Sequence, residues 1–289
     1  RWRKGVEGKI AGIDADKRME EKRPPVPEAR KAIPESAPIA PPAVKIKPLA
    51  RLGRGGMWEI AFSPDGKILA VASSIGIWLY DAESLKEIGL LEGPALSVAF
   101  SPDGKLIASA GAQDGTVCIW DIEGRKEIAR LGHGDVISVA FSPDGKLIAS
   151  GGADGTVRIW DVEKREELAK LEGHKDSVNS VTFSPDGKLI ASGGGAEVCI
   201  WDIEKREGLA RLEHEGPVRS VAFSPDGKLI AFGSWDNTVG IWDVKIWDVE
   251  KREELARFKG EGARSVAFSP DGKLTASGGA DGTVRIWDV

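Results

Sequence analysis

From residue 57 to the end, the chain alternates short apolar runs with clusters of Pro, Asp and Gly. Within Val136 to Val162, an alternating run containing Val139 and Phe141 meets the turn Ser142-Pro143-Asp144-Gly145. A second run, Leu147 to Ser150, is followed by the turn Asp154-Gly155 and a third run, Val157-Arg158-Ile159-Trp160-Asp161. Runs of this length, rich in β-branched and aromatic residues and separated by tight turns, predict strands of an antiparallel meander. The charged stretch Glu163 to Glu167 leads into Leu168-Ala169-Lys170-Leu171, a predicted outermost strand, where charge discourages edge-to-edge pairing. The unit recurs. Ser-Pro-Asp-Gly-Lys begins at Ser63, Ser101, Ser142, Ser184, Ser224 and Ser269, with spacings of 38 to 45 residues. A period near 40 marks a supersecondary unit repeated along the chain.

Gly173-His174, then Ser-Pro-Asp-Gly, then Trp-Asp, spread over one such unit, resembles the WD-repeat β-propeller family across roughly residues 45 to 289. The resemblance implies an all-β fold, a β-propeller of six four-stranded antiparallel blades around a channel. Gly-His and Asp-Gly turns would lie on its top face and Pro-Asp-Gly turns on its bottom. It also implies that His133, Ser150, Asp154 and Trp160 form a structural tetrad that ties one blade together out of solvent. The third repeat alone keeps the whole set. The fourth has Glu197 near the turn, the fifth has Phe232 for the serine, the second and sixth lack the histidine, and the first has Tyr80 for the tryptophan.

The last repeat stops after its third run, while Ile46 to Leu52 aligns with the fourth-strand stretch Glu254 to Phe258. An N-terminal strand over 46–52 is therefore expected to close the last blade and leave no open edge; the alternative is an incomplete part of a seven-bladed or longer array. The fifth repeat carries Ile-Trp-Asp-Val twice, five residues apart, from Ile241 and from Ile246. Counting six positions from Asp236 puts Trp242 in the packed tryptophan site and Trp247 in an enlarged bottom loop.

Ahead of the repeats, residues 1–44 are charged and proline-rich and are expected to be a disordered arm or linker. The net charge of -5 divides into +5 over residues 1 to 47 and -10 over the rest. A body this acidic argues against nucleic acid or anionic lipid as partner, because that binding needs a basic face. No apolar run reaches the 18 or so residues of a membrane helix, so no membrane insertion is expected of the residues shown. Arg1-Trp2-Arg3-Lys4 would suit the flank of an upstream anchor, which gives one alternative function: the sensory or scaffolding domain of a membrane-anchored protein. The compartment stays open, with a cytoplasmic one favoured.

Candidate chemistry changes the picture little. His133, His174 and His214 stand at equivalent positions of successive repeats and cannot converge on one ion. Cys118 and Cys199 occupy equivalent positions two repeats apart, beyond disulfide reach. No phosphate loop, zinc helix or calcium loop occurs. No metal, cofactor or catalytic residue is expected, and a catalytic propeller, the remaining alternative, would need a unique polar set at the channel mouth.

Where the repeats differ is more telling. The position four residues before each motif Phe reads Trp58, Leu96, Ile137, Asn179, Arg219 and Arg264, apolar on one side of the expected ring and basic on the other. Trp235 adds an aromatic beside Arg219. Trp and Arg are hot-spot residue types, and a basic sector on an acidic protein selects an acidic partner. The expected function is a non-catalytic protein–protein interaction scaffold. Its partner would be a protein or peptide, an acidic segment with an apolar anchor, bound on the top face at the channel mouth.

Overall fold

The computed structural model describes residues 50–111, 115–236, 241–248, 253–260 and 263–289, with the backbone alone between 236 and 262. The expected arm, residues 1–44, lies outside the described residues. Each repeat forms an antiparallel sheet whose strands follow chain order. The third sheet, for example, comprises Val136–Phe141, Leu147–Gly152, Thr156–Asp161 and Glu166–Glu172. Among the described residues there are six sheets, five of four strands and a sixth of three: Ala263–Phe268, Leu274–Gly279 and Val284–Asp288. Among the described residues no helix is long and apolar enough to cross a membrane.

The turn between first and second strands is built by its own side chains. In the third sheet the Ser142 hydroxyl donates to Asp144 Oδ1 at 2.7 Å and accepts the Leu147 N–H at 2.9 Å, while Asp144 also takes the Lys146 N–H at 3.1 Å. Gly145 sits at φ 73°, a left-handed conformation that glycine adopts without strain. The other five turns repeat the Ser–Asp bond. That bond holds the carboxyl well below its ordinary range, down to about 2 at Asp65.

Sheets pack face to face in chain order. Val178 and Val181, on the first strand of the fourth sheet, fill the face of the third made by Ala149, Val157 and Ile159. A Cβ on Gly151 would lie 2.5 Å from Val178 Cγ1, so this close approach requires glycine. A serine adds a hydrogen bond at each joint: Val139, Val181, Val221 and Val266 donate their N–H to Ser97, Ser138, Ser180 and Ser220 of the preceding sheet at 3.1–3.2 Å. The first joint uses Glu59, which accepts from Val98 N–H at 2.9 Å.

The expected closing joint is not packed. Ile60 on the first sheet is 63% exposed, whereas its equivalent Val98 is 4% exposed. On the far side of the sixth sheet Ile286 is 60% exposed, against 2% for Ile159. Of the closing strand expected over 46–52 only Ala50–Leu52 are described, residues 46–49 being outside the described residues. Ala50–Leu52 form no strand, and Leu52 packs with Val71, Trp78 and Tyr80 of the first sheet. The reason is local. Gly53 and Gly55, at φ 85° and 86°, turn the chain; the Gly53 N–H donates to Tyr80 Oη at 2.8 Å, and the Arg54 guanidinium lies 5.5 Å over the Trp78 ring. Among the described residues the outer faces of the first and sixth sheets are thus exposed at Ile60 and Ile286, in contrast to the interior joints.

The fifth sheet carries the duplicated segment on a lengthened hairpin. Ile230 pairs with Trp247 and Leu229 with Asp248, the register of Ile148 with Trp160 and Leu147 with Asp161 in the third sheet. In this ladder Trp247 stands in the register of Trp160, and Trp242 pairs with Trp235. The ladder is set from the Pro-Asp-Gly end, where Ser224 holds Leu229. The extra pairs thus lengthen the hairpin at its opposite, top end.

Candidate functional site: the channel mouth and the blade networks

Each first strand begins at the top, just after the loop that carries Gly-His in the third and fourth repeats, so its second residue faces the channel mouth. A cavity of about 370 Å³ lies there, lined by Trp58, Leu96, Ile137, Asn179, Arg219 and Arg264 together with Glu59 and the neighbouring serines Ser97, Ser138, Ser180, Ser220 and Ser265. The structure thus gathers six of the seven expected mouth residues around one space. Trp235 is not part of this lining; it is 38% exposed near the top end of its strand.

The mouth is uneven in the expected sense. Trp58 is 58% exposed, Leu96 and Ile137 are half-buried, and Arg219 and Arg264 are exposed. Asn179 is partly committed to the scaffold, its Nδ2 donating to the Val218 carbonyl at 2.9 Å. Glu59 was missed by sequence reasoning because comparison of repeats singled out its neighbour Trp58, although serine stands at its position in every other repeat. Burial of its carboxyl among the first strands raises its pKa, opposed by hydrogen bonds from Ser97 and the Val98 N–H.

The third sheet assembles the expected tetrad. Trp160 Nε1 donates to Ser150 Oγ at 2.7 Å, and Ser150 Oγ lies 2.6 Å from His133 Nδ1. Indole only donates, so the serine keeps its own proton for His133 Nδ1. The ring's Nε2 then faces Thr156 Oγ1 at 3.1 Å, and Thr156 donates to Asp154 Oδ1 at 2.7 Å. Asp154 Oδ1 is itself 3.5 Å from Nε2. Thr156 is a fifth member that the four-residue reading left out. Burial, with the nearby Arg158 charge, lowers the His133 pKa to about 4, so the ring is neutral at physiological pH. The arrangement ties strands together and presents no accessible nucleophile.

The fourth sheet reaches the same end by another route. Trp201 donates to Ser192 at 2.7 Å, Ser192 Oγ is 2.6 Å from His174 Nε2, and His174 Nδ1 faces Glu197 Oε1 at 3.2 Å. Glu197 stands where Thr156 does and does the work of Asp154. It accepts the Lys175 N–H at 2.9 Å and pairs with Arg211 at 3.3 Å. Cys199 joins them: His174, Glu197 and Cys199 bring one ligand-type atom each within 4.8 Å of one another, a grouping that comparison of histidines across repeats does not find. Burial first, then the Glu197 charge, pushes the Cys199 thiol up to about 12. Arg211 supplies the positive charge beside the Glu197 carboxylate.

The remaining sheets depart as their sequences do. His214 bonds Ser234 and meets Phe232 edge-on at 5.6 Å in the fifth. Trp287 donates to Ser277 at 2.9 Å in the sixth, and Trp120 to Ser109 at 2.9 Å in the second.

Sheets of this kind, repeated every 40 residues and tied by Trp–Ser–His chains, define a WD-repeat propeller-like protein. The family model described as WD domain, G-beta repeat matches residues 86–121, 125–161, 165–202, 207–243 and 252–288. That is more than half of the chain, which belongs to this family. The five matches begin at residue 86 and leave out the first three strands of the first sheet, including the one with Tyr80 in place of tryptophan. Members of the family commonly act as protein-interaction scaffolds, generally bind proteins or peptides, and are generally non-catalytic. No curated protein matches the chain.

Proposed function

We propose that this protein is a non-catalytic interaction platform that binds an acidic segment with an apolar anchor at the channel mouth. The observation that carries this reading is the convergence of the variable position of all six repeats on one cavity of about 370 Å³, with Trp58, Leu96 and Ile137 on one side and Arg219 and Arg264 on the other. The arginines would take the partner's carboxylates and the Trp58 side its apolar residue, with Trp235 extending the top surface. Five serines and the Glu59 carboxyl, which is committed to the Val98 N–H, make up the rest of the lining.

The test is binding of a labelled peptide of Asp and Glu flanking one Leu or Phe, followed by fluorescence anisotropy. The expected result is saturable binding that Trp58→Ala and Arg219→Glu each weaken, with no binding of a peptide in which Lys replaces the acids. Equal binding of the acidic and basic peptides would refute the reading.

A further inference from the structure

The second blade keeps every described partner of the tetrad imidazole but lacks the imidazole. Ser109, Thr116 and Trp120 stand where Ser150, Thr156 and Trp160 stand in the third blade. The connecting loop is one residue shorter: Leu91 and Val98 are seven positions apart where Leu131 and Val139 are eight, and glycine replaces the Gly-His pair. A Cβ placed on Gly93 would meet nothing nearer than Trp120 Cη2 at 4.0 Å. A cavity of about 170 Å³ is found here, lined by Gly93, Pro94, Ser109, Cys118, Trp120 and Arg130.

The cavity has a polar handle. Ser109 is 2% exposed, and its one hydrogen bond among the described residues is the one it accepts from the Trp120 indole N–H at 2.9 Å. Its own proton is unused. The equivalent proton of Ser150 is the one available to His133 Nδ1, across 2.6 Å. A buried donor without an acceptor is destabilising, and a ligand that accepts from it relieves that cost. In volume the space suits a small ring, since a protein cavity of about 150 Å³ holds benzene. The Arg130 guanidinium at the rim is paired with Glu127 at 2.5–2.9 Å, and a ring nitrogen that accepts from Ser109 must be unprotonated, so the site selects a neutral ring.

We propose that this cavity is a binding site for a flat, neutral heteroaromatic ring with an unprotonated ring nitrogen, the imidazole class. The nitrogen accepts from the Ser109 hydroxyl and the ring lies against Trp120, as His133 lies 6.3 Å from Trp160, centroid to centroid. The ring can arrive as a free small molecule or as the histidine side chain of a bound partner. Neither source depends on the charge pattern of the channel mouth, so this site and the proposed mouth can fail separately.

The experiment titrates the full chain with imidazole and follows the indole N–H resonance of Trp120 by ¹H–¹⁵N NMR. A saturable shift is expected with imidazole. None is expected with pyrrole, which has the same ring size and an N–H but no acceptor nitrogen. Ser109→Ala, which keeps the space and removes the donor, should weaken binding about tenfold. A His133→Gly variant serves as the internal standard: it opens the matching space in the third blade, and imidazole should raise its lowered melting temperature. A blocked histidine peptide that shifts the same resonance identifies a partner side chain as an admissible source; a shift by free imidazole alone identifies a small-molecule site. An unmoved Trp120 resonance at saturating imidazole, or an equal shift with pyrrole, would overturn the proposal.

Discussion

A buried neutral imidazole makes stability depend on pH in a defined window. The His133 pKa falls from 6.5 to about 4 on folding, chiefly through burial, and that of His174 is lowered for the same leading reason. In the unfolded chain both rings bind protons at a higher pH than in the folded one. Stability is therefore full above about pH 6.5, declines as pH falls toward 4, and below that loses nothing further from His133. Denaturant melts between pH 7 and 4.5 should show this decline, and His133→Gln should reduce its slope by up to about one proton. An unchanged slope would mean that the ring is solvated in solution. At the same network, Ser150→Ala strands the Trp160 indole N–H and the His133 ring nitrogen and should cost about 1–3 kcal/mol in a denaturant melt at pH 7. The tetrad was legible in the sequence because its members recur at fixed offsets. Thr156 and the Glu197–Arg211 substitute were not, since each acts through a side-chain reach that spacing does not encode.

At the scale of strands and sheets, packing separates interior joints from the two ends. Ile159 fills a joint between sheets, while its equivalent Ile286 is largely uncovered. Ile159→Ala should cost about 2–5 kcal/mol, whereas Ile286→Ala should stay within about 0.5 kcal/mol, as surface changes do. Equal losses for the two variants would show that the end faces meet, or are otherwise covered, in solution. Strand order, turn chemistry and the four-strand unit could all be read from the alternation and the Ser-Pro-Asp-Gly motif, because those residues make the turn by themselves. The ends could not. The stretch 46–52 has the composition of a fourth strand, but its described part follows Gly53, Gly55 and the Tyr80 hydroxyl onto the first sheet. The duplicated segment holds two tryptophans at the same spacing: the count from Asp236 gives Trp242, and the ladder fixed from the Pro-Asp-Gly end aligns Trp247 with Trp160.

For the molecule as a whole, six equivalent positions that differ in sequence open onto one space, and their differences sort it into an apolar and a basic side. That polarity was legible by comparing repeats; the convergence on a single cavity required the fold. Arg219 and Arg264 are exposed, so their charge acts on a partner through partly screened interactions, and affinity should fall as salt rises through the physiological range. The most direct measurement is the affinity of the acidic, apolar-anchored peptide for the wild-type protein and for the double reversal Arg219→Glu, Arg264→Glu, taken beside the melting temperature of each. The account predicts that the reversal abolishes binding and its salt dependence while the melting temperature stays within a few degrees, because exposed rim residues carry little of the stability. Undiminished binding by a folded double reversal would contradict it, and would place the working surface of this protein away from the channel mouth.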